Sequence, residues 1–264
     1  KYLPVVTTLH GTDITLVGKH PSYKPAVTFS INKSDVVTSV SESLKKETLS
    51  SFVIKSEIEV IPNFIDIDLY NIVDRCNRSQ IAPNNEKVVI HISNMRSVKR
   101  IPDVIDIFHR IAQEEDAILL MLGDGPERER AEQQVRDLGI AEKVRFLGKT
   151  TEVRRLLCMS DLFLLTSEKE SFGLVALEAM AAKVPVISTN SGGIPEVNIH
   201  GVTGYLASTG AVEEMAAYGL SLLQDEEKLA QFRHQAFEHA KNFSIDKIVP
   251  MYEKAYEKAL AAVR

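Results

Sequence analysis

The stretch that decides the fold of this chain spans residues 161–197, DLFLLTSEKESFGLVALEAMAAKVPVISTNSGGIPEV. Apolar runs at 162–165 and 184–188 predict two buried strands, and the residues at 172–182 predict a helix between them. Short polar links join the three elements, which is the pattern of a parallel strand–helix–strand unit. The sequence therefore predicts an α/β protein with a doubly wound parallel sheet, whose ligands bind at the carboxyl ends of the strands.

Two carboxylates flank the start of the predicted helix. Glu170 precedes it, and Glu178 follows eight residues later, about 12 Å along a helix. A carboxylate accepts two hydroxyl hydrogen bonds well, so this pair would suit the sugar and the ribose of a nucleotide-sugar that lies along the helix. Taken singly, each would equally suit a solvated helix start, where acidic groups interact favourably with the macrodipole.

Free backbone N–H groups at the start of this helix are a second predicted feature. Ser171 stands at the helix entrance, and Phe172, Gly173 and Leu174 follow it. The first N–H groups of a helix have no intrahelical acceptor and favour an anion. Because Gly173 has no side chain to block a phosphate, these residues are predicted to bind one.

The combination of these motifs resembles the GT4 family of retaining glycosyltransferases, which have the GT-B fold. The resemblance rests on ESFGLVALEAMA with its Glu-x7-Glu spacing, followed by PVI and GGIPEV. It implies two Rossmann-like domains that face a cleft, the second of which binds a UDP-sugar donor. It also implies that Glu170 contacts the donor sugar and acts in catalysis, and that Glu178 contacts the ribose.

Composition limits the class of protein. The chain has 264 residues, of which 44% are hydrophobic, so it can bury more than one domain core. The net charge of −5 gives no reason to expect a nucleic-acid partner. No apolar run approaches the roughly 20 residues that span a bilayer. Two cysteines, Cys76 and Cys158, have no metal-ligand spacing, which favours a reduced, cytoplasmic protein.

Element patterns divide the chain into two blocks. Residues 1–66 are predicted to hold strands at 4–9, 36–40 and 57–60 and helices at 25–33 and 42–52, the second helix capped by Ser41. This block has too few strands for a complete sheet and is expected to be the C-terminal part of a first, acceptor-binding Rossmann-like domain. Residues 67–86 are polar and aperiodic and are predicted to be a linker.

The second block, residues 87–242, is predicted to be the donor-binding Rossmann-like domain, because strands and helices alternate along it. Its predicted strands lie at 87–92, 117–122, 144–146, 162–165, 184–188 and 203–206, and its helices at 101–113, 127–138, 151–159 and 172–182. The resemblance implies that the C-terminal helix, residues 243–264, crosses back to the first domain.

A basic loop, SNMRSVKR at 93–100, follows the first strand of the second block. On its own it equally suits the solvated start of a helix. The resemblance implies that Arg96 and Lys99, with Asn94 beside them, bind the donor diphosphate. Two fixed cations would offset the charge of a departing nucleoside diphosphate, so we expect no metal and no other cofactor.

Two further residues gain roles from the resemblance. Gly148 lies in FLGK, a stretch implied to place its backbone against the uracil ring. His10 follows the first strand in LHGTD and is implied to approach the donor sugar from the first domain. A histidine ring can donate to a sugar hydroxyl or stabilise nearby charge, although a lone histidine is more often structural.

A narrower resemblance runs along essentially the whole chain and is carried by LHGTDIT, SYKP, INKSDVVTSVSESL, VIPNFID and ISNMRSVKR. It is to GT4 members that transfer N-acetylglucosamine from UDP-GlcNAc to the hydroxyl of L-malate, the first step of bacillithiol synthesis. It implies a homodimer and no protein nucleophile, because the leaving phosphate assists deprotonation of the acceptor. Such enzymes also have a Gly-rich loop and roughly 100 further residues in the first domain.

Two alternatives remain open at this point. One is a GT4 transferase with another sugar donor or acceptor. The other belongs to a different class, a UDP-GlcNAc 2-epimerase or a non-catalytic nucleotide-sugar sensor on the same fold. Release of UDP that depends on an acceptor distinguishes the transferases from the second alternative.

Overall fold

Two parallel sheets organise the chain, whose structure is a computed structural model describing residues 3–70 and 76–262. Each sheet is accompanied by helices, which confirms the predicted α/β class. The part of the predicted linker at 71–75 lies outside the described residues.

The first sheet is parallel and has the strand order β1-β2-β3. Its strands are β1 Val6–Leu9, β2 Val36–Ser39 and β3 Ile58–Val60, and its helices are α1 Lys24–Lys33 and α2 Glu42–Ser51. The predicted cap of α2 is confirmed, since Ser41 Oγ accepts a hydrogen bond from the Leu44 N–H at 3.1 Å. A short π-helical turn, Asp13–Val17, which the sequence did not predict, follows β1.

The second sheet has six parallel strands in the order β6-β5-β4-β7-β8-β9. The strands are β4 Lys87–Ile92, β5 Ala117–Leu122, β6 Val144–Gly148, β7 Leu162–Leu165, β8 Val186–Thr189 and β9 Gly204–Ala207. The helices are α3 Ile101–Glu114, α4 Arg128–Asp137, α5 Val153–Cys158, α6 Leu174–Ala181, α7 Ile194–Val197, α8 Val212–Leu223, α9 Glu226–Ala240 and α10 Ile245–Ala261.

The strand order reverses between β4 and β7, and this reversal positions the site. From β4 the chain proceeds outward to β5 and β6, and it then returns to β7 on the other side of β4. In open α/β sheets, ligands bind in the crevice outside the carboxyl ends of the two strands at such a switch point. The loops that follow β4 and β7 are therefore neighbours, although they are separated by most of a domain in sequence.

The central strands are buried on both faces, which explains why they read as continuous apolar runs. Val88 and Ile90 on β4 point to a cluster that includes α6, whereas Val89 between them points to a cluster that includes α3. All three side chains are fully buried. Helices thus cover both faces of the sheet and leave its carboxyl edge for the ligand.

The chain passes twice between the two sheet units, and the two passages are hydrogen-bonded to each other. The Ile65 N–H donates to the Phe243 carbonyl at 2.9 Å, and the Ile245 N–H donates to the Ile65 carbonyl at 3.0 Å. Helix α10 then packs on the first sheet, where Ile248 and Ala255 form one cluster with Val36. The two sheets are consequently held together at the end of the molecule where the chain passes between them.

The cysteines form a disulfide, which corrects the expectation of a reduced pair. Cys76, which follows the linker residues at 71–75, is bonded to Cys158 at the end of α5, and their Cα atoms are 6.0 Å apart. The two residues are 82 positions apart in sequence. Only the tertiary fold brings them together, so their spacing in sequence carried no signal of the bond.

We expect Cys158→Ser to lower the free energy of unfolding by about 4 kcal/mol under non-reducing conditions, because the unfolded chain regains the entropy of a long loop. Guanidinium chloride titration measures the change. In excess dithiothreitol the wild-type protein should lose the same amount and match the variant. Equal unfolding free energies of the two proteins without reductant would contradict the prediction.

Candidate active site

A cleft of about 560 Å³ lies between the two sheets, at the carboxyl ends of β4 and β7. Its volume falls within the range of small-molecule sites. Both the first sheet unit and the second contribute to its walls. The residues that line it are Thr12, Thr15, Ser43, Leu44, Glu47, Asn94, Arg96, Val98, Lys99, Glu168, Lys169, Glu170, Ser171, Ser191 and Gly192.

The loop after β4 presents the predicted diphosphate-binding residues to this cleft. Met95 is fully buried and anchors the loop, while its neighbours Asn94 and Arg96 are exposed. Lys99 ends a short 3-10 turn, Ser97–Lys99, and is half-buried in the cleft wall. The fold therefore brings together three residues that the sequence analysis selected, and their role as phosphate ligands stays a prediction.

Lys99 and Glu170 form an ion pair inside the cleft. Lys99 Nζ lies 2.7 Å from Glu170 Oε2, and each side chain is 17% exposed. The Thr166 hydroxyl donates to the Lys99 carbonyl at 2.8 Å and ties the β7 loop to the β4 loop. A cation and a carboxylate thus face one another at the switch point, where a ligand with both an anionic and a hydroxyl-bearing part can contact both.

The loop that carries Glu170 is held by the end of β8 and by the segment that follows it. The Thr189 hydroxyl donates to the Ser167 carbonyl at 2.6 Å, and the Gly193 N–H donates to the Glu170 carbonyl at 2.9 Å. Gly192 has φ +59, and a Cβ on it would lie 1.9 Å from the Glu170 carbonyl oxygen. Only glycine permits this approach, so the Gly192-Gly193 pair sets the position of Glu170.

Helix α6 begins later than predicted, at Leu174 instead of Phe172. Gly173 precedes it in the left-handed region with φ +91. Phe172 is buried, and its ring meets Phe243 edge-on at a centroid distance of 5.7 Å. Because the left-handed Gly173 separates Phe172 from the helix, the N–H groups of the first turn are those from Leu174 onward, while Ser171 lines the cleft directly.

Glu178 does not line the cleft together with Glu170. Its carboxylate accepts a hydrogen bond from the Tyr70 hydroxyl of the linker. Burial raises the pKa of Glu178, an effect that the Tyr70 hydrogen bond opposes, and burial together with Glu178 raises the pKa of Tyr70. Because residues 170–173 are not helical, the 12 Å helical spacing does not describe the two carboxylates, and a ribose contact of Glu178 stays a prediction.

The wild-type protein should lose stability as pH rises and Glu178 becomes charged in its buried position. We expect Glu178→Gln, which cannot become charged, to lack this loss. The folded state holds the Glu178 proton to higher pH than the unfolded chain, so this group contributes stability at low pH, and the contribution is lost as pH rises through the folded pKa. The amide stays neutral and still accepts from Tyr70. Urea unfolding between about pH 4 and pH 7 should show the variant gaining on wild type as pH rises. A pH-independent difference would contradict this.

His10 and Gly148 lie outside the lining of the cleft. His10 is exposed after β1, and the next residue, Gly11, packs so closely that a Cβ would lie 1.7 Å from Ser171 Oγ. His10 therefore stands where the first sheet unit meets the second. Gly148 ends β6, and its carbonyl accepts from the Gly123 N–H at 2.8 Å. Contacts of His10 with a sugar and of Gly148 with a uracil stay predictions.

Sequence reasoning missed the wall that the first sheet unit contributes. Thr12 and Thr15 follow β1, and Ser43 and Glu47 lie on α2, so all four are near the carboxyl edge of that sheet. Polar residues after a predicted strand were the available signal. They were not selected because, at this edge of the first sheet, the sequence analysis assigned a role only to His10.

Neither metal-binding clusters nor membrane-spanning helices occur in the parts of the chain that the structure describes. Within residues 3–70 and 76–262, no three His, Cys, Asp or Glu side chains are grouped so that they could hold an ion. Over the same residues, no helix combines the length and the apolar character that crossing a bilayer requires.

Family profiles match almost the whole chain. The profile described as "Glycosyl transferases group 1" matches residues 74–239, and the one described as "Glycosyltransferase Family 4" matches residues 1–69. The boundary between the matches falls within the predicted linker. With the two facing parallel sheets and the switch-point cleft, these matches show that the chain belongs to the group 1 glycosyltransferases and has the GT-B fold.

Individual proteins that this chain resembles include two glycosyltransferases and one solved structure. The N-acetyl-alpha-D-glucosaminyl L-malate synthase of Bacillus anthracis is 47% identical over 261 residues, which are 98% of this chain and 68% of that protein. The 2-deoxystreptamine N-acetyl-D-glucosaminyltransferase of Niallia circulans is 29% identical over 71% of this chain and 49% of its own length. The crystal structure of Anabaena HepE in complex with UDP and glucose superposes with a TM-score of 0.87 at 26% identity, covering 96% of this chain and 71% of that one.

Proposed function

We propose that this glycosyltransferase moves N-acetylglucosamine from UDP-GlcNAc to the hydroxyl of L-malate with retention of the anomeric configuration. The observation that carries the proposal is the 47% identity, over 98% of the chain, to the Bacillus anthracis protein named for that product. The cleft supports it, because the Lys99–Glu170 pair offers a cation and a carboxylate to one ligand. A UDP-sugar presents an anionic diphosphate and a hydroxyl-bearing sugar side by side.

The donor is proposed to bind along the β4 and β7 loops. Arg96 and Lys99 would neutralise the diphosphate, and Glu170 would accept hydrogen bonds from sugar hydroxyls. The similarity to HepE, whose crystal structure contains UDP and glucose, supports a nucleotide-sugar in this position. Lys99 donates to Glu170, so the carboxylate would hold the ammonium group beside the place proposed for the diphosphate.

The acceptor is proposed to bind against the wall contributed by the first sheet unit. Thr12, Thr15 and Ser43 carry hydroxyl groups that donate well to carboxylates. Lys169 lies on the opposite wall and supplies positive charge for a small dianion. This arrangement would place the malate hydroxyl in the cleft between the two sheet units, near the donor sugar.

The reaction is proposed to proceed on one face of the sugar. The malate hydroxyl oxygen forms a bond to the anomeric carbon as the bond to the UDP oxygen breaks, and the departing phosphate takes the hydroxyl proton. Arg96 and Lys99 would stabilise the charge that develops on the leaving group, the electrostatic role that contributes most in many enzymes. No protein nucleophile takes part, unlike in retaining glycosidases with paired carboxylates. We propose that the transfer needs no metal, so EDTA should leave the rate unchanged.

The test is UDP release from UDP-GlcNAc by the full-length protein with and without L-malate. Release that requires malate supports both substrates. If UDP is released only from UDP-glucose, or only with an acceptor other than malate, the chain is a GT4 transferase with other substrates. The crystal structure of HepE with UDP and glucose favours this alternative. Binding of UDP without turnover of any acceptor would instead favour a nucleotide-sugar sensor, and formation of UDP-ManNAc a 2-epimerase.

Assembly and location are further proposals. We propose a homodimer, as the narrower resemblance implies. We also propose a cytoplasmic location, which was expected from the cysteine spacing and which the Cys76–Cys158 disulfide does not support. Light scattering after size exclusion gives the mass of the particle in solution, and a monomeric mass would contradict the dimer.

A further inference from the structure

The two sheet units meet beside the cleft through one carboxylate. Glu196 lies on α7 in the second unit, and its two oxygens accept hydrogen bonds from the backbone N–H groups of Glu42 and Ser43 in the first, both at 2.8 Å. Nearby, the Ser41 hydroxyl donates to the Ser171 carbonyl at 2.6 Å. The contact between the units therefore involves the same loop that carries Glu170.

The Glu196 carboxylate is chemically suited to the helix start that it contacts. Glu42 and Ser43 are the first two residues of α2, whose N–H groups have no acceptor within the helix. A carboxylate at a helix N-terminus also interacts favourably with the macrodipole. Since Glu196 comes from the other unit, these two N–H groups have this carboxylate only while the units are together.

Glu196 is also connected to the loop that carries Glu170. It lies three residues after Gly193, whose N–H donates to the Glu170 carbonyl. On the other side of the contact, α2 carries Ser43 and Glu47, which line the cleft opposite Lys99. A path of contacts therefore runs from Glu170 through α7 to α2 and connects the two walls of the cleft.

From this geometry we propose that Glu196 is a positioning residue that latches the cleft shut by capping the α2 helix of the first unit. It does not touch the donor or the acceptor. Its effect is to bring the wall that holds the acceptor against the loops that hold the donor. The kinetic consequence rests on the proposed transfer, whereas the conformational consequence does not.

The first experiment compares full-length wild type with Glu196→Ala and with Glu129→Ala, an exposed glutamate on α4 that serves as the control. Glu196→Ala should lower kcat/KM for the acceptor by about 10- to 100-fold, because a misplaced wall of the cleft misaligns the reactants. Calorimetric UDP affinity should stay within about twofold, because the proposed UDP contacts lie within the second unit. Small-angle scattering should show a larger radius of gyration for this variant alone.

A second variant tests the latch from the other side without touching Glu196. Glu42→Pro deletes one of the two N–H donors, yet proline fits the first helical position, and Ser41 before it is already extended with φ −155 and ψ 157. Like Glu196→Ala, it should lower kcat/KM for the acceptor and increase the radius of gyration. The double variant Glu42→Pro/Glu196→Ala should have the same kcat/KM and radius of gyration as Glu196→Ala alone. Such non-additivity identifies two residues that act through one contact. Glu196→Gln, which keeps one acceptor oxygen, should be intermediate.

Each outcome decides the proposal. An unchanged radius of gyration together with unchanged kcat/KM in Glu196→Ala overturns it. UDP affinity that falls in parallel with kcat/KM also overturns it, since Glu196 would then support the donor loop alone. If wild type shows no malate-dependent turnover, the proposed function fails while scattering and UDP affinity still decide the latch.

Discussion

Replacing Lys99 with alanine is expected to lower kcat/KM for sugar transfer by about 100- to 1,000-fold, the effect of removing one donor that stabilises transition-state charge. The lysine is half-buried, and its ammonium group lies 2.7 Å from the Glu170 carboxylate. The variant would lose a cation that we propose contacts the leaving phosphate. It would also leave the Glu170 charge in the cleft without its partner, which repels a diphosphate.

The control for this variant is Lys143→Ala. Lys143 also pairs with an acid, since its Nζ lies 3.5 Å from Asp116, but both side chains are exposed and neither lines the cleft. Its replacement should leave kcat/KM unchanged and alter the free energy of unfolding by less than about 1 kcal/mol. A loss of activity confined to Lys99→Ala, with UDP affinity also reduced, fits a phosphate contact. Activity within about threefold of wild type would exclude it.

A second replacement separates charge loss from repulsion. In Lys99→Ala/Glu170→Gln the unpaired carboxylate is gone, so UDP affinity should recover in part relative to Lys99→Ala. Turnover should not recover, because the cation proposed to stabilise the leaving group is still missing and Glu170, the proposed sugar contact, is also altered. Recovery of both would mean that Lys99 acts only by neutralising Glu170.

The second block could be predicted from sequence because its strands are buried on both faces and read as apolar runs. The predicted bounds of β4, β5 and β7 agree with the structure at both ends. The strand predicted at 184–188 is instead β8, Val186–Thr189. Near that strand the apolar run extends past the hydrogen-bonded ladder, since Val184 is buried without belonging to the strand.

The site could be predicted only where a motif is local. Lys99, Glu170 and Ser171 lie in short stretches next to strand ends, and the structure places all three at the cleft. Contacts between distant segments left no such trace. The hydroxyl of Tyr70 on Glu178 and the disulfide from Cys76 depend on how the linker folds over the second unit, which no periodicity in the sequence records.

Gly192→Ala is expected to cost about 4 kcal/mol of unfolding free energy, the sum of left-handed strain and a backbone collision. With φ +59, Gly192 has a conformation that costs an L residue about 1–2 kcal/mol. The added Cβ would also stand 1.9 Å from the Glu170 carbonyl oxygen. Since that atom belongs to the backbone, relief requires moving the loop that carries Glu170.

The matched control is Gly201→Ala, which isolates the first of these terms. Gly201 also has a positive φ, +75, but a Cβ there would meet nothing within 4 Å. It should therefore lose only about 1–2 kcal/mol and keep full activity. Gly192→Ala should lose the larger amount and, in addition, about 100-fold in kcat/KM, because a small displacement of Glu170 misaligns the donor sugar. Urea unfolding and UDP release measure the two quantities. Equal costs at the two glycines would show that the loop yields freely, and that Gly192 does not set the position of Glu170.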